Sequence, residues 1–221
     1  MPRCGISRKA WTWSKKRHAS SWAWSRLTRF TCRSHADSPT SKTVKIAILG
    51  AESTGKTTLA QALVAALDGC RGRADWVPET LREWCRQRGR TPRRHEQHAI
   101  ALAQASRVAT AATVSWLLVD TTPLMTAVYS DLLFQDVSLY PFALAHHACF
   151  DLTLMTNLDL PWVPDGLQRD GMQAQRAFDT RLREVLDQHA LPYGVVSGQG
   201  AVRTAAALAL IQDNAGKLTS Y

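Results

Sequence analysis

Three things are scarce in this chain. Cysteine occurs five times, at Cys4, Cys32, Cys70, Cys85 and Cys149, an odd number with no C-x-x-C pair. That excludes a disulfide framework and a paired-cysteine zinc site, and fits reduced thiols in a cytoplasmic protein. Apolar runs are short. None approaches the ~20 residues that would carry a helix across a bilayer, so no transmembrane segment is expected. Acid is nearly missing from one end. Residues 1 to 42 hold ten Lys or Arg and one acid, Asp37, whereas residues 43 to 221 hold 17 residues of each sign. The net charge of +9 therefore belongs to the first 42 residues. The remainder is neutral and lacks the basic footprint of a nucleic-acid reader.

Residues 1 to 42 are also rich in Ser and carry four of the eight Trp: Trp11, Trp13, Trp22 and Trp24. They have no apolar core of the length a secretory signal needs. Their composition is that of an organelle transit peptide, and equally of a basic arm for a membrane surface or nucleic acid. The expectation is a disordered N-terminal extension over 1–42, ending in the polar linker "HADSPTSKT", followed by one domain over 43–221.

Within 43–221, strand-like and helix-like segments alternate. "TVKIAILG" reads as a buried strand, and "KTTLAQALVAALDG" as a helix closed by Gly69. "ADWVPET" is a second strand and "LREWCRQRG" a helix. "PRRHEQHAIALAQASRVATAAT" is a longer helix, starting after Pro92. "SWLLVD" is a third strand. "PLMTAVYSDLLFQ" and "PFALAHHACF" are helical. "DLTLMTN" and "YGVVSG" are the fourth and fifth strands. Between them runs an amphipathic helix with Ala174, Ala177, Phe178, Leu182, Val185 and Leu186 on its apolar face, and "AVRTAAALALIQ" closes the chain. The pattern predicts an α/β fold: a doubly wound, mainly five-stranded parallel sheet with helices on both faces. Ligands of such sheets sit beyond the C-terminal ends of the strands.

"GAESTGKTT" follows the first strand and opens a helix. Gly50, four residues, then Gly55-Lys56-Thr57 is the spacing of a phosphate-cradling loop. Backbone N–H groups of Gly50, Ala51, Glu52, Ser53, Thr54 and Gly55 would face the phosphates of ATP, with Lys56 on the β- and γ-oxygens and Thr58 in the first helical turn. The Thr57 hydroxyl would ligate Mg²⁺. Asp120, at the end of the third strand, would support the same ion, or else cap the next helix.

The loop alone leaves the destination of the γ-phosphate open. Transfer to an alcohol needs a group that receives the hydroxyl proton. Glu79, after the second strand, fits that role, with Arg82 one helical turn on to hold it or neutralise phosphate charge. Asp120 is the other candidate base. The plainer alternative is a surface Glu–Arg pair. In "LPWVPDGLQRDGMQAQR", Asp165-Gly166 marks a turn, and Arg169 and Arg176 follow. Such a segment can close over the triphosphate and exclude water. Trp162 can stack on a heteroaromatic ring or anchor that segment to the core.

"GAESTGKT", "LVDTTPL", "DLPWVPDGLQRDG" and "LPYGVVSG" together resemble the ribosylnicotinamide kinase domain of NadR-type proteins, over about residues 44 to 198. The resemblance implies a P-loop kinase core that uses ATP and Mg²⁺ to phosphorylate nicotinamide riboside to its mononucleotide, a step in NAD biosynthesis. NadR-type proteins also carry a nucleotidyltransferase domain before the kinase. Here the preceding residues are few and its H-x-G-H signature is missing, so a stand-alone kinase domain is expected. The open alternatives are a kinase for another nucleoside or nucleotide, and a P-loop ATPase or switch.

Other features carry less. "HEQH" is H-E-x-H, one residue short of the H-E-x-x-H zinc motif, so His95 and His98 read as surface residues. His146 and His147 point about 100° apart on a helix. The arginines of "RQRGRTPRR" form a local basic patch, read by default as a solvated face, with a guide for the nucleotide or a nucleic-acid contact as the alternatives.

Overall fold

The computed structural model describes residues 42–69, 72–111, 114–163 and 171–218. The expected N-terminal extension, apart from Lys42, and Arg169 lie outside them. Five strands form one sheet: β1 (Val44–Leu49), β2 (Ala74–Val77), β3 (Trp116–Asp120), β4 (Leu152–Thr156) and β5 (Gly194–Val196). The order is β2-β3-β1-β4-β5, and every neighbouring pair is parallel. Parallel strands need crossovers, which the helices supply: α1 (Lys56–Leu67), α2 (Thr80–Arg88), α3 (Gln97–Thr110), α4 (Pro123–Phe134), α5 (Tyr140–His147), α6 (Gly171–Gln188) and α7 (Gly200–Leu218).

β1 shows why the sheet is covered twice. Val44, Ile46 and Ile48 point to one face and pack with Leu59 and Leu63 of α1 and Ala207 and Ile211 of α7. Ala47 and Leu49 point to the other and pack with Leu124 and Val128 of α4, Ala143 of α5, and Phe178 and Leu182 of α6. A strand buried on both faces needs apolar residues at both phases of its period-2 pattern, and "VKIAIL" supplies them. Beside it, β3 is buried at every position.

Two boundaries differ from the sequence expectation, each for a visible reason. β2 ends at Val77, because Pro78 has no N–H for the ladder. Glu79 is therefore the N-cap residue of α2, not the last residue of a strand. α3 begins at Gln97 and is preceded by a 3-10 turn, Arg94–Glu96. The Glu96 carboxylate accepts from the Arg93 N–H at 2.7 Å and from both terminal nitrogens of Arg90 at 2.8 and 2.7 Å. Those contacts hold the Glu96 carboxyl down at about 2 and fix the turn before the helix starts. Arg94 pairs with Asp136 at 2.9 Å, so two arginines of the basic patch are already ion-paired. On α6 the buried face is Gln175, Phe178, Asp179, Leu182, Val185 and Leu186, while Ala177 faces solvent. No described helix is long and apolar enough to cross a membrane.

Candidate active site

The C-terminal ends of β1, β3 and β4 meet around the loop from Gly50 to Gly55 and the start of α1. β1 and β3 run in register, with Ile48 opposite Asp120. One residue later the Thr121 N–H donates to the Ile48 carbonyl at 3.2 Å. This register brings Asp120 beside the start of the loop and α1.

The loop's shape depends on positive φ at three places: Gly50 (φ 144), Ser53 (φ 55) and Gly55 (φ 73). At Gly50 space is also denied. A Cβ there would lie 2.1 Å from Thr156 Oγ1. That hydroxyl is within 2.7 Å of Thr54 Oγ1 and donates to the Leu49 carbonyl at 3.1 Å, so the end of β4 braces the loop from beneath.

Lys56 is buried, and its ammonium donates to the Ala51 carbonyl at 2.7 Å, lying across the mouth of the loop. The Thr57 hydroxyl donates to Asp120 Oδ2 at 2.5 Å. Asp120 is fully buried, and its Oδ1 has no hydrogen-bond partner among the described residues. A buried carboxylate oxygen left unpaired is costly unless a cation completes it. A hydroxyl and a carboxylate oxygen are the hard oxygen donors that Mg²⁺ takes, so Thr57 and Asp120 fit that ion. Asp120 does not cap the following helix. Thr122 does, accepting from the Leu124 N–H at 3.3 Å with Pro123 at the first helical position.

β2 lies on the far side of β3, with Val77 opposite Val119. Two residues on, Glu79 is 9% exposed, and Arg82 Nε lies 3.4 Å from its carboxylate. Burial pushes the Cys85 thiol up, and the negative charge of Glu79 adds to this against Arg90, so Cys85 stays a protonated thiol in the wall of α2.

Trp162 comes to the phosphate loop. Its indole N–H donates to Glu52 Oε1 at 3.3 Å. Next to it, Ser53 Oγ donates to the Val163 carbonyl at 2.5 Å, and Gln175 Nε2 of α6 donates to the Glu52 carbonyl at 2.7 Å. Glu52 is thus a fastening point between the loop and the segment after β4. Arg176 sits on the exposed side of α6.

Four residues that sequence reasoning passed over complete the site. Thr156 and Gln175 are two. Arg203 of α7 is the third: its buried guanidinium donates to the Thr54 carbonyl at 2.5 Å, the Gly198 carbonyl at 2.7 Å and the Asn157 carbonyl at 3.3 Å, and it pairs with Asp159. The fourth, Gln104 of α3, accepts from the Thr80 N–H and donates to the Thr121 carbonyl, each at 2.9 Å. Their sequence surroundings are those of ordinary helix and strand, and they offer no motif to find them by.

Among the described residues, the histidines singled out in the sequence take no part in these contacts. His95 and His98 are exposed. His147 is buried, with Nε2 3.0 Å from Thr153 Oγ1.

Comparison with known proteins bears on the fold. No curated protein matches the sequence. Among solved structures, a NadR protein in complex with NR is 18% identical with a TM-score of 0.62, covering 81% of this chain and 52% of that one. A NadR protein in complex with NAD and AMP-PNP is 19% identical with a TM-score of 0.64, covering 79% and 50%. The deoxyadenosine kinase from M. mycoides, with products dCMP and dCDP, is 16% identical with a TM-score of 0.54, covering 78% and 100%. The chain thus spans about half the length of the NadR proteins it matches. At these identities the shared property is the P-loop kinase-like fold. A family model described as an AAA domain matches residues 45–203, which contain the phosphate loop, Asp120 and Arg203, and the chain belongs to that AAA-domain family.

Proposed function

We propose that the protein is an ATP-dependent nucleoside kinase and that its acceptor is nicotinamide riboside. One observation carries the reading. Two buried carboxylates stand at the C-terminal side of neighbouring strands: Asp120 ends β3 and bonds to Thr57 in the first turn of α1, and Glu79 follows β2 by two residues as the N-cap of α2. A hydrolase or switch needs the first. A kinase also needs a second group to meet the acceptor hydroxyl. The resemblance of the motifs to the ribosylnicotinamide kinase domain, and the fold shared with a NadR protein in complex with NR, support the choice of acceptor.

In this reading the triphosphate lies on the N–H groups of residues 50–55 and the positive end of α1. Lys56 turns from the Ala51 carbonyl to the β- and γ-oxygens. Mg²⁺, held by Thr57 and Asp120, would neutralise charge on the triphosphate. Glu79 receives the proton of the 5′-hydroxyl, with Asp120 the alternative base, and Arg82 orients Glu79. The hydroxyl oxygen forms its bond to the γ-phosphorus, the bond from that phosphorus to the β–γ bridging oxygen breaks, and ADP leaves. Trp162 and Arg82 line the acceptor side, and Arg169 and Arg176 meet the transferring group.

The test is to incubate the full chain with Mg·ATP and a panel of nucleosides and to follow the phosphorylated product. The expected product is nicotinamide mononucleotide. ATP consumed equally fast without any nucleoside would sink the kinase reading. Product from deoxynucleosides but not from nicotinamide riboside would move the acceptor to another nucleoside. Glu79→Gln at full turnover would take Glu79 out of the chemistry.

A further inference from the structure

Gln104 lies on the inward face of α3 and is 2% exposed. Its Oε1 accepts from the Thr80 N–H and its Nε2 donates to the Thr121 carbonyl, both at 2.9 Å. Both partners are backbone groups of fixed polarity, so they dictate which way the amide faces. Thr80 directly follows Glu79, and Thr121 directly follows Asp120. One buried side chain therefore ties together the backbone just past each of the two carboxylates.

Thr121 needs such a tie. It is β-branched yet sits at φ 75, a strained conformation that persists only where neighbours over-determine it. Two hydrogen bonds do so: its N–H to the Ile48 carbonyl at 3.2 Å, and its carbonyl from Gln104. Around the tie, Thr80 Oγ1, Thr121 Oγ1 and Asp120 Oδ1 are buried without hydrogen-bond partners among the described residues. Strain and unspent polar atoms gathered at one turn mark a place held for a ligand, not for stability.

We propose that Gln104 is a positioning residue. It holds the Asp120–Thr121 turn against the start of α2 and so sets the spacing between the metal-side carboxylate and Glu79. The proposal rests on the kinase reading of the site. Only a carboxamide serves. A glutamate offers Thr121 no donor, and a methionine of the same length offers neither group.

Three quantities test it in the full chain: binding of a fluorescent ATP analogue without Mg²⁺, the Mg²⁺ concentration that half-maximally strengthens that binding, and kcat with its KM for each substrate. Gln104→Met should leave Mg²⁺-free binding within about twofold, since Thr156 and Arg203 brace the loop independently. It should raise the Mg²⁺ midpoint about tenfold. It should lower kcat about tenfold to a hundredfold at little changed KM for ATP. Gln104→Glu should go further in the same direction. In a Thr121→Gly background, where φ 75 carries no strain, the cost of Gln104→Met should shrink to about twofold. That background also keeps the test readable if the single variant folds poorly. A wild-type Mg²⁺ midpoint and kcat in Gln104→Met, or an undiminished loss in the glycine background, would overturn the proposal. The Mg²⁺ midpoint needs no acceptor. A wild-type chain that phosphorylates no nucleoside would therefore count against the kinase reading, while the midpoint would still decide the role of Gln104.

Discussion

The Thr57 hydroxyl donates to Asp120 Oδ2 at 2.5 Å, joining the first turn of α1 to the end of β3 across 63 residues of chain. The other oxygen of Asp120 is buried and has no hydrogen-bond partner among the described residues. In the proposed reading the pair would offer Mg²⁺ two hard oxygen donors carried on two rigid elements.

Asp120→Asn separates those roles. The amide oxygen still accepts from Thr57, so the fold should hold and Mg²⁺-free nucleotide binding should stay near wild type. The lost charge should reduce kcat by about a hundredfold or more. Steady-state kinetics beside an equilibrium titration of nucleotide without metal make the comparison. Unchanged turnover would remove Asp120 from the metal site.

Gly50→Ala should be among the costliest single-methyl changes in the protein. The new Cβ would sit 2.1 Å from Thr156 Oγ1, at a φ of 144 that only glycine adopts readily. A loss of roughly 2–4 kcal/mol is expected from clash and backbone strain together. Thr156→Ala clears the space but not the strain, so the double variant should recover only part of the loss. Urea unfolding of the two singles and the double measures the coupling. Complete recovery would show that φ at Gly50 contributes nothing.

The sequence carried the phosphate loop and the sheet because each depends on local rules. The spacing from Gly50 to Thr57 is set by the loop's own backbone, and the doubled apolar phase of "VKIAIL" by burial on two faces. Glu79 and Asp120 could be singled out as candidates because such sheets bind ligands beyond their strand ends, although Glu79 stands two residues past β2, at the start of α2. The role of Glu52 was not legible. An acid in an anion-binding loop makes sense only once Trp162 and Gln175, 110 and 123 residues further on, are seen to fasten there. Gln104 and Arg203 were invisible for the same reason. Each bonds mainly to backbone carbonyls and N–H groups, and backbone partners leave no trace in residue type.

Stability should depend on pH through a histidine far from the phosphate loop. His147 ends α5, buried, with Nε2 3.0 Å from Thr153 Oγ1 and Nδ1 without a hydrogen-bond partner among the described residues. Burial, and after it the neighbouring His146, hold its pKa at about 4, below the ordinary 6.5. His146 is itself lowered by burial and by Lys45. The sign follows from where the protons go. Between pH 6.5 and 4 the unfolded chain binds a proton at this position and the folded chain does not, so acidification favours unfolding. The full contribution is present above pH 6.5 and is lost as pH falls toward 4, an effect on the order of 2–3 kcal/mol. His147→Gln keeps a polar partner for Thr153 and removes the titration, so its stability should fall less steeply over that window. Urea midpoints at pH 7, 5.5 and 4.5 for both proteins provide the check. Equal slopes would assign the acid sensitivity to another group, with His146 the first to examine.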